Sequence, residues 1–133
     1  MALQASTAVR NAMLDAIETT VGASPTLEIR SGVVPATTGT ADSGTLLASM
    51  VLPADWLANA ATGSKGLLGT WRDASADASG TAGHYRIKQG VTTHLQGTVT
   101  ATGGGGDLTL DNTSIAVGQA VSITAYTLAQ SGA

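Results

Sequence analysis

Over residues 6–21 the larger apolar side chains recur at every fourth position, Val9, Met13, Ile17 and Val21, with Ala5, Ala8, Ala12 and Ala16 beside them. That spacing predicts one stripe of an amphipathic α-helix. Ser6 stands where an N-cap is needed, Gly22 where the helix ends, and Pro25 where it cannot continue. Arg10, Asn11, Asp15 and Glu18 fall on or near the opposite side, so the pattern predicts one buried face and one wet face. The apolar face can dock on the chain's own body or on a neighbour.

After Pro25 the period drops from about four to two, since Leu27 and Ile29 alternate with Glu28 and Arg30. Everything downstream reads as β structure. Residues 33–43, with Pro35, Gly39 and several Thr, predict a loop. Residues 45–52 predict a strand with Leu46, Ala48, Met50 and Leu52 on one face, stopped by Pro53 and followed by a short helical turn over 55–59. Residues 66–72 predict a strand with Leu67 and Trp71 on one side, and 73–83 a surface loop. A hairpin follows, with Tyr85 and Ile87 inward on its first strand, Leu95 and Val99 inward on its second, and Gly90 at the turn. Past the glycine run at 103–106, strands are expected around Leu108 and Leu110, at 115–117, and at 120–129 with Val121, Ile123 and Ala125 alternating. Residues 1–5 and 131–133 are expected to be loose ends.

Roughly seven or eight short strands, spaced by Gly-bearing turns, argue for a mainly β fold: an antiparallel β-sandwich or jelly-roll-like body with one N-terminal α-helix. Residues 1–24 form the helical part and 25–133 the β part of a single domain.

Composition narrows how such a body can be held together. There is no Phe, and the aromatics are Trp56, Trp71, Tyr85 and Tyr126, so many small side chains must be buried to offset chain entropy. Cys is absent, which removes disulfides and thiolate metal sites. Only 11% of residues are charged, the net charge is -3, and the cations Arg10, Arg30, Lys65, Arg72, Arg86 and Lys88 are scattered. Nucleic-acid binding is therefore not expected, whereas a surface low in charge suits contact with other protein. No run of apolar residues is long enough to span a membrane, and residues 1–10 lack the basic and apolar regions of a signal peptide. The chain is expected to be soluble and made in the cytoplasm.

Each candidate for chemistry is short of partners. His84 and His94 lie on the two strands of the predicted hairpin, in its outward set, and side by side they would supply two metal ligands with no carboxylate to complete the site. Exposed polar strand residues are the expectation. Asp73 and Asp77 sit in a Ser- and Gly-rich loop, yet a calcium loop needs more oxygen ligands; an Asp capping its own turn fits better. Gly103-Gly104-Gly105-Gly106 is followed by Asp107 and a strand, not by the Lys and helix of a phosphate loop, and is expected to be a hairpin loop. No catalytic residue, metal ligand or cofactor is expected, and the chain reads as a non-enzyme.

The phrases Val9-Arg10-Asn11-Ala12-Met13-Leu14-Asp15-Ala16-Ile17 and Leu27-Glu28-Ile29-Arg30-Ser31-Gly32 resemble the opening of a group of small tailed-bacteriophage and prophage proteins. The resemblance continues through Asp77-Ala78-Ser79-Gly80-Thr81-Ala82-Gly83, Tyr85-Arg86-Ile87, Gln96-Gly97-Thr98-Val99 and Leu108-Thr109-Leu110-Asp111-Asn112-Thr113-Ser114-Ile115. It implies a virion structural protein assembled in the host bacterial cytoplasm. The preferred role is a head decoration, or cement, protein that binds the major capsid protein lattice and associates with itself or other virion proteins. A tail, neck or head-fibre adaptor is the alternative, and a carbohydrate-binding module using exposed tryptophans is a second. The candidate interface residues are Val9, Met13 and Ile17 on the helix, with Trp56 and Trp71.

Overall fold

The computed structural model describes residues 3–130, so Met1, Ala2 and Ser131–Ala133 among the expected loose ends lie outside the described residues. The chain is mainly β with a single helix, α1 (Thr7–Val21). The strands are β1 (Thr26–Ser31), β2 (Leu46–Val51), β3 (Ser64–Gly66), β4 (Trp71–Asp73), β5 (Gly80–Gln89), β6 (Thr92–Ala101), β7 (Leu108–Leu110), β8 (Ser114–Ile115), β9 (Val121–Ile123) and β10 (Thr127–Ala129). A curled sheet in the order β2-β1-β5-β6-β7, with β8 beside one end of β5, carries the longest strands, and two short ladders, β10-β3 and β4-β9, stand apart from it.

Register explains the core. Leu27 lies between Met50 and Ile87, Ile29 between Ala48 and Tyr85, and Ile87 opposite Leu95, so the period-two pattern of each strand meets its neighbour on the same face. Facing that row are Trp56, Trp71, Leu110, Val121, Ile123 and Tyr126, all buried. The aromatic rings form one column through this layer. Trp56 and Trp71 are 6.0 Å apart between centroids, Trp71 and Tyr126 5.4 Å, and Tyr126 and Tyr85 5.6 Å in an edge-to-face contact.

The opposite face of the sheet is polar but covered. Across the three central strands Glu28, Arg86 and Gln96 stand in register, and residues 32–45 fold over them as a strap. The Arg86 guanidinium is buried among Asp42 Oδ1 (2.7 Å), Gln96 Oε1 (2.9 Å) and the Thr37 carbonyl (3.0 Å), while Gln96 donates to the Pro35 carbonyl at 2.8 Å. Arg30 and Lys88 each bind both Glu28 and Asp42. The Lys88 hydrogen bond holds the Asp42 carboxyl down near about 2, with help from Arg86 and Arg30 and against the cost of burial.

Several expectations need correction. The second strand carries a bulge at Leu47: Ile29 pairs with Ala48 but Arg30 with Leu46, so Leu47 takes the buried place expected of Leu46. Residues 55–59 form no helical turn; Leu57 bridges Leu67 instead. The strand expected at 66–72 is cut by Gly69, whose φ of 78° breaks the extended run. The stretch 73–83 is less of a surface loop than expected, since Ala76 is buried, Asp77 donates its N–H to the Leu47 carbonyl, and β5 already begins at Gly80. The last strand breaks after Ile123, which turns Tyr126 inward and leaves Ala125 exposed.

The glycine run is not a hairpin loop, because β7 runs parallel to β6, with Val99 opposite Leu108. Parallel neighbours normally need a long crossover. Here residues 102–107 turn back over β6 with almost no volume: a Cβ on Gly104 would lie 2.7 Å from Thr100 Oγ1, and one on Gly106 within 2.9 Å of the same side chain. Asp107 closes the turn by accepting from the Thr98 N–H (3.0 Å) and hydroxyl (3.1 Å).

Two outcomes test this construction. Gly97→Ala places a Cβ 2.7 Å from Asp107 Oδ2 and 2.8 Å from the Tyr85 ring, so its urea midpoint should fall by the equivalent of about 2 kcal/mol. Because the folded-state value of Asp42 is depressed from 3.8 to about 2, its contribution is complete above 3.8 and is lost as pH falls toward 2. Partial solvent exposure reduces that contribution to about 1 kcal/mol. Amide exchange in residues 32–45 should accelerate over that window in the natural chain, and be fast at neutral pH in Asp42→Asn.

Candidate functional site

Helix α1 has the expected caps. Ser6 accepts the Val9 N–H at 3.2 Å, and Gly22, at φ 92°, returns its N–H to the Glu18 carbonyl. What differs is the face that docks. Residues 57–63 belong to no long ladder, and buried or half-buried N–H groups must find acceptors somewhere. They find them on the polar side of the helix. Glu18 Oε1 accepts the Leu57 N–H (3.2 Å), Asp15 Oδ1 the Ala60 N–H (3.1 Å) and Asn11 Oδ1 the Gly63 N–H (2.9 Å). Acceptors one helical turn apart thus meet every third amide of a chain running antiparallel to the helix.

Lys65 locks this arrangement from below. Its side chain is 2% exposed and its ammonium lies 2.8 Å from Asp15 Oδ1 and 2.9 Å from Glu18 Oε2. Burial alone would lower the Lys65 ammonium, but the two carboxylates outweigh it and raise it above its ordinary value. The Lys65 hydrogen bond lowers Asp15; at Glu18 burial opposes, and Lys65 with the Leu57 N–H prevails, lowering it. A hydrogen bond with Glu18 raises the neighbouring Asp55 carboxyl. At the far end Trp56 donates its indole N–H to the Gly22 carbonyl at 3.1 Å, and Gln89 donates to the carbonyls of Val21 and Ala23.

The predicted wet face is therefore the docked face, and most of the predicted apolar face is left outside. Only Leu14 and Val21 of the helix are fully buried. Val9 is 51% and Met13 47% exposed, and Ala12, Ala16 and Thr20 beside them are exposed as well. Ile17 is half-buried against the core. This outward strip, Val9, Ala12, Met13, Ala16 and Thr20, carries no charge. It borders a groove of about 260 Å³ lined by Met13, Ala16, Ile17, Thr20, His94 and Leu95.

The other candidate interface residues are corrected. Trp56 and Trp71 are 0% and 1% exposed, so they are core and not interface anchors, and neither offers the exposed ring that the carbohydrate-binding alternative requires. Large aromatics were the best available core filler, and the chain uses both. The two histidines do not meet: His84 is opposite Thr98, four positions along β6 from His94, which occupies a bulge. His84 is not an exposed strand residue either. It is fully buried, with Nδ1 3.0 Å from the Gly32 carbonyl and Nε2 without a partner. Asp73 caps backbone, accepting from Ser49 and Ser75 N–H groups. Among the described residues no three His, Asp or Glu side chains converge on a metal position, and no helix is long and apolar enough to cross a membrane.

The free apolar strip was legible only in part. Its residue types were evident from the period of four, but nothing local said that the carboxylates opposite were reserved for the amides of residues 57–63. Compared with models of protein families, with curated proteins and with solved structures, the chain matches none.

Lys65→Met leaves the Asp15 and Glu18 charges facing each other without their cation. Stability at neutral pH should drop by about 2 kcal/mol, with faster amide exchange across α1. Both carboxylates are depressed in the folded state, so their contribution is present above 3.8 and 4.5 and is lost as pH falls through the folded values. The gap between variant and natural chain should accordingly narrow in acid, as urea titrations at several pH values would show.

Proposed function

We propose that this chain is a non-enzymatic structural protein of a tailed-bacteriophage particle, specifically a head decoration protein that binds the major capsid protein lattice. One observation carries the reading. A helix anchored to its own body through its polar side presents an uncharged strip, Val9, Met13 and their small neighbours, to the outside, and exposed apolar surface of this kind is where soluble proteins bind partners. The body behind it suits the role: a curled sheet backed by small ladders, taken here as sandwich-like, with its core closed and its polar face strapped down. The resemblance to small phage proteins supplies the partner.

On this reading the strip lies against joints between capsid subunits, and the module stabilises the assembled lattice because it binds that lattice better than free subunits. Self-association on the shell would follow from neighbouring copies.

The Val9→Asp/Met13→Asp double variant tests it. Both positions are outside the core, so the melting temperature should stay within about 2 °C of the natural chain, while occupancy on capsids stripped of the protein should fall at least about tenfold. Capsids carrying the natural chain should survive heating that ruptures bare ones. Equal occupancy of the variant, or equal rupture temperatures with and without the protein, would overturn the proposal. A copy number of a few dozen or fewer per particle would move the chain to the tail or neck.

A further inference from the structure

Strand β6 is incompletely paired. β5 pairs with it from Thr92 to Thr98, whereas on the other side β7 reaches only Val99, Thr100 and Ala101. The Thr98 N–H points to Asp107 and not to β5. In an antiparallel pair backbone groups alternate in direction, so two residues back the N–H and C=O of Gln96 also turn away from β5, onto an edge with no strand beside it.

Strand β10 shows the same condition. The Gln130 N–H goes to the Gly63 carbonyl and the Tyr126 carbonyl accepts from Leu67, so the even-numbered residues face β3. Thr127 and Ala129 therefore turn their N–H and C=O groups the other way. These two free edges are walls of one cavity of about 500 Å³, whose lining includes Leu95, Gln96, Asp107, Tyr126, Thr127 and Ala129. Leu95 also lines the groove under the helix, so the two depressions meet at that side chain.

We propose that this groove is a strand-addition site that accepts one extended peptide of a partner protein, with apolar residues at alternate positions and a basic side chain at one end. The walls dictate the backbone: unpaired peptide N–H and C=O groups on both sides are matched by another peptide strand. The neighbouring side chains dictate the alternation, because Leu95 and Ile17 pack against the core while Gln96 faces the polar side. Asp107 dictates the charge, being the only Asp, Glu, Lys or Arg among the described residues that line either depression. The bulge at His94 and the Asp107 carboxylate on Thr98 close the two ends of the edge. A short window stays open, which protects against indiscriminate sheet-to-sheet association.

The test uses the full chain, labelled for amide NMR, and the peptide acetyl-Lys-Val-Thr-Val-Thr-Val-amide. At millimolar peptide the Gln96 and Ala129 amides should exchange at least about tenfold more slowly, with peptide contacts to both strands. Ala129→Pro removes a groove-facing N–H while the β3 ladder, which uses Leu128, keeps its bonds. It should weaken binding at least about fivefold without moving the melting temperature. N-methylation of the peptide's central valine should abolish protection, an arm that involves no change in the protein. Replacing the peptide lysine by glutamate should weaken binding by about threefold or more. Absence of protection, or equal binding by the N-methylated or glutamate peptides, overturns the proposal. So does protection that grows with protein concentration alone, which would make a second copy the occupant. None of these results depends on the outward strip that carries the capsid reading.

Discussion

A single column of four aromatic rings holds this chain together. With no Phe and a core otherwise made of Leu, Ile, Val, Met and Ala, the rings of Trp56, Trp71, Tyr126 and Tyr85 supply the largest units of buried area. Their polar ends are all satisfied, which a low-dielectric interior requires. Trp56 donates to the carbonyl at the end of α1, Trp71 to the Leu68 carbonyl, and the two tyrosine hydroxyls bond each other at 2.8 Å. The column therefore joins the helix, the 56–71 segment, the C-terminal strands and the central strand β5. Burial raises both tyrosine hydroxyls above their ordinary value, so they stay neutral and hydrogen-bonded.

The helix shows how backbone satisfaction can override amphipathic pattern. Residues 57–63 wander between the column and the surface with few bonds of their own, and an orphaned amide costs about as much as a fully exposed methyl-bearing side chain gains on burial. Asn11, Asp15 and Glu18 meet three such amides, and Lys65 neutralises the two carboxylates from the protein side. Docking the apolar side instead would have left those amides unmet. The consequence is a surface strip without charge, and the proposed contact with a capsid rests on that strip.

Much of the sheet's two faces is closed. The inner face lies against the aromatic column, and the outer face lies under the 32–45 strap, clamped where Asp42 meets three cations. Glycines then allow close approach where a side chain would collide, as at Gly83, where a Cβ would stand 2.2 Å from the Gly32 carbonyl. What stays open is the margin: one length of β6, one side of β10 and the outward strip of α1. The depressions beside these margins meet at Leu95.

The amino-acid sequence by itself determined the elements whose cause is local. Periods of four and two, a Ser cap, a terminating Gly and three prolines were enough for α1, β1 and the β5-β6 hairpin, because each depends on neighbours a few residues away. It also determined that the core must be light. Tertiary structure decided which face of α1 is inside, that both tryptophans belong to the core, that His84 is covered while His94 is in a bulge, and that β7 runs parallel to β6. Each of those outcomes turns on a partner distant in sequence: an amide at 57, 60 or 63, a strap at 32–45, a carboxylate at 107. Periodicity reports how apolar a face is. It cannot report which distant backbone group that face, or its opposite, will be required to satisfy.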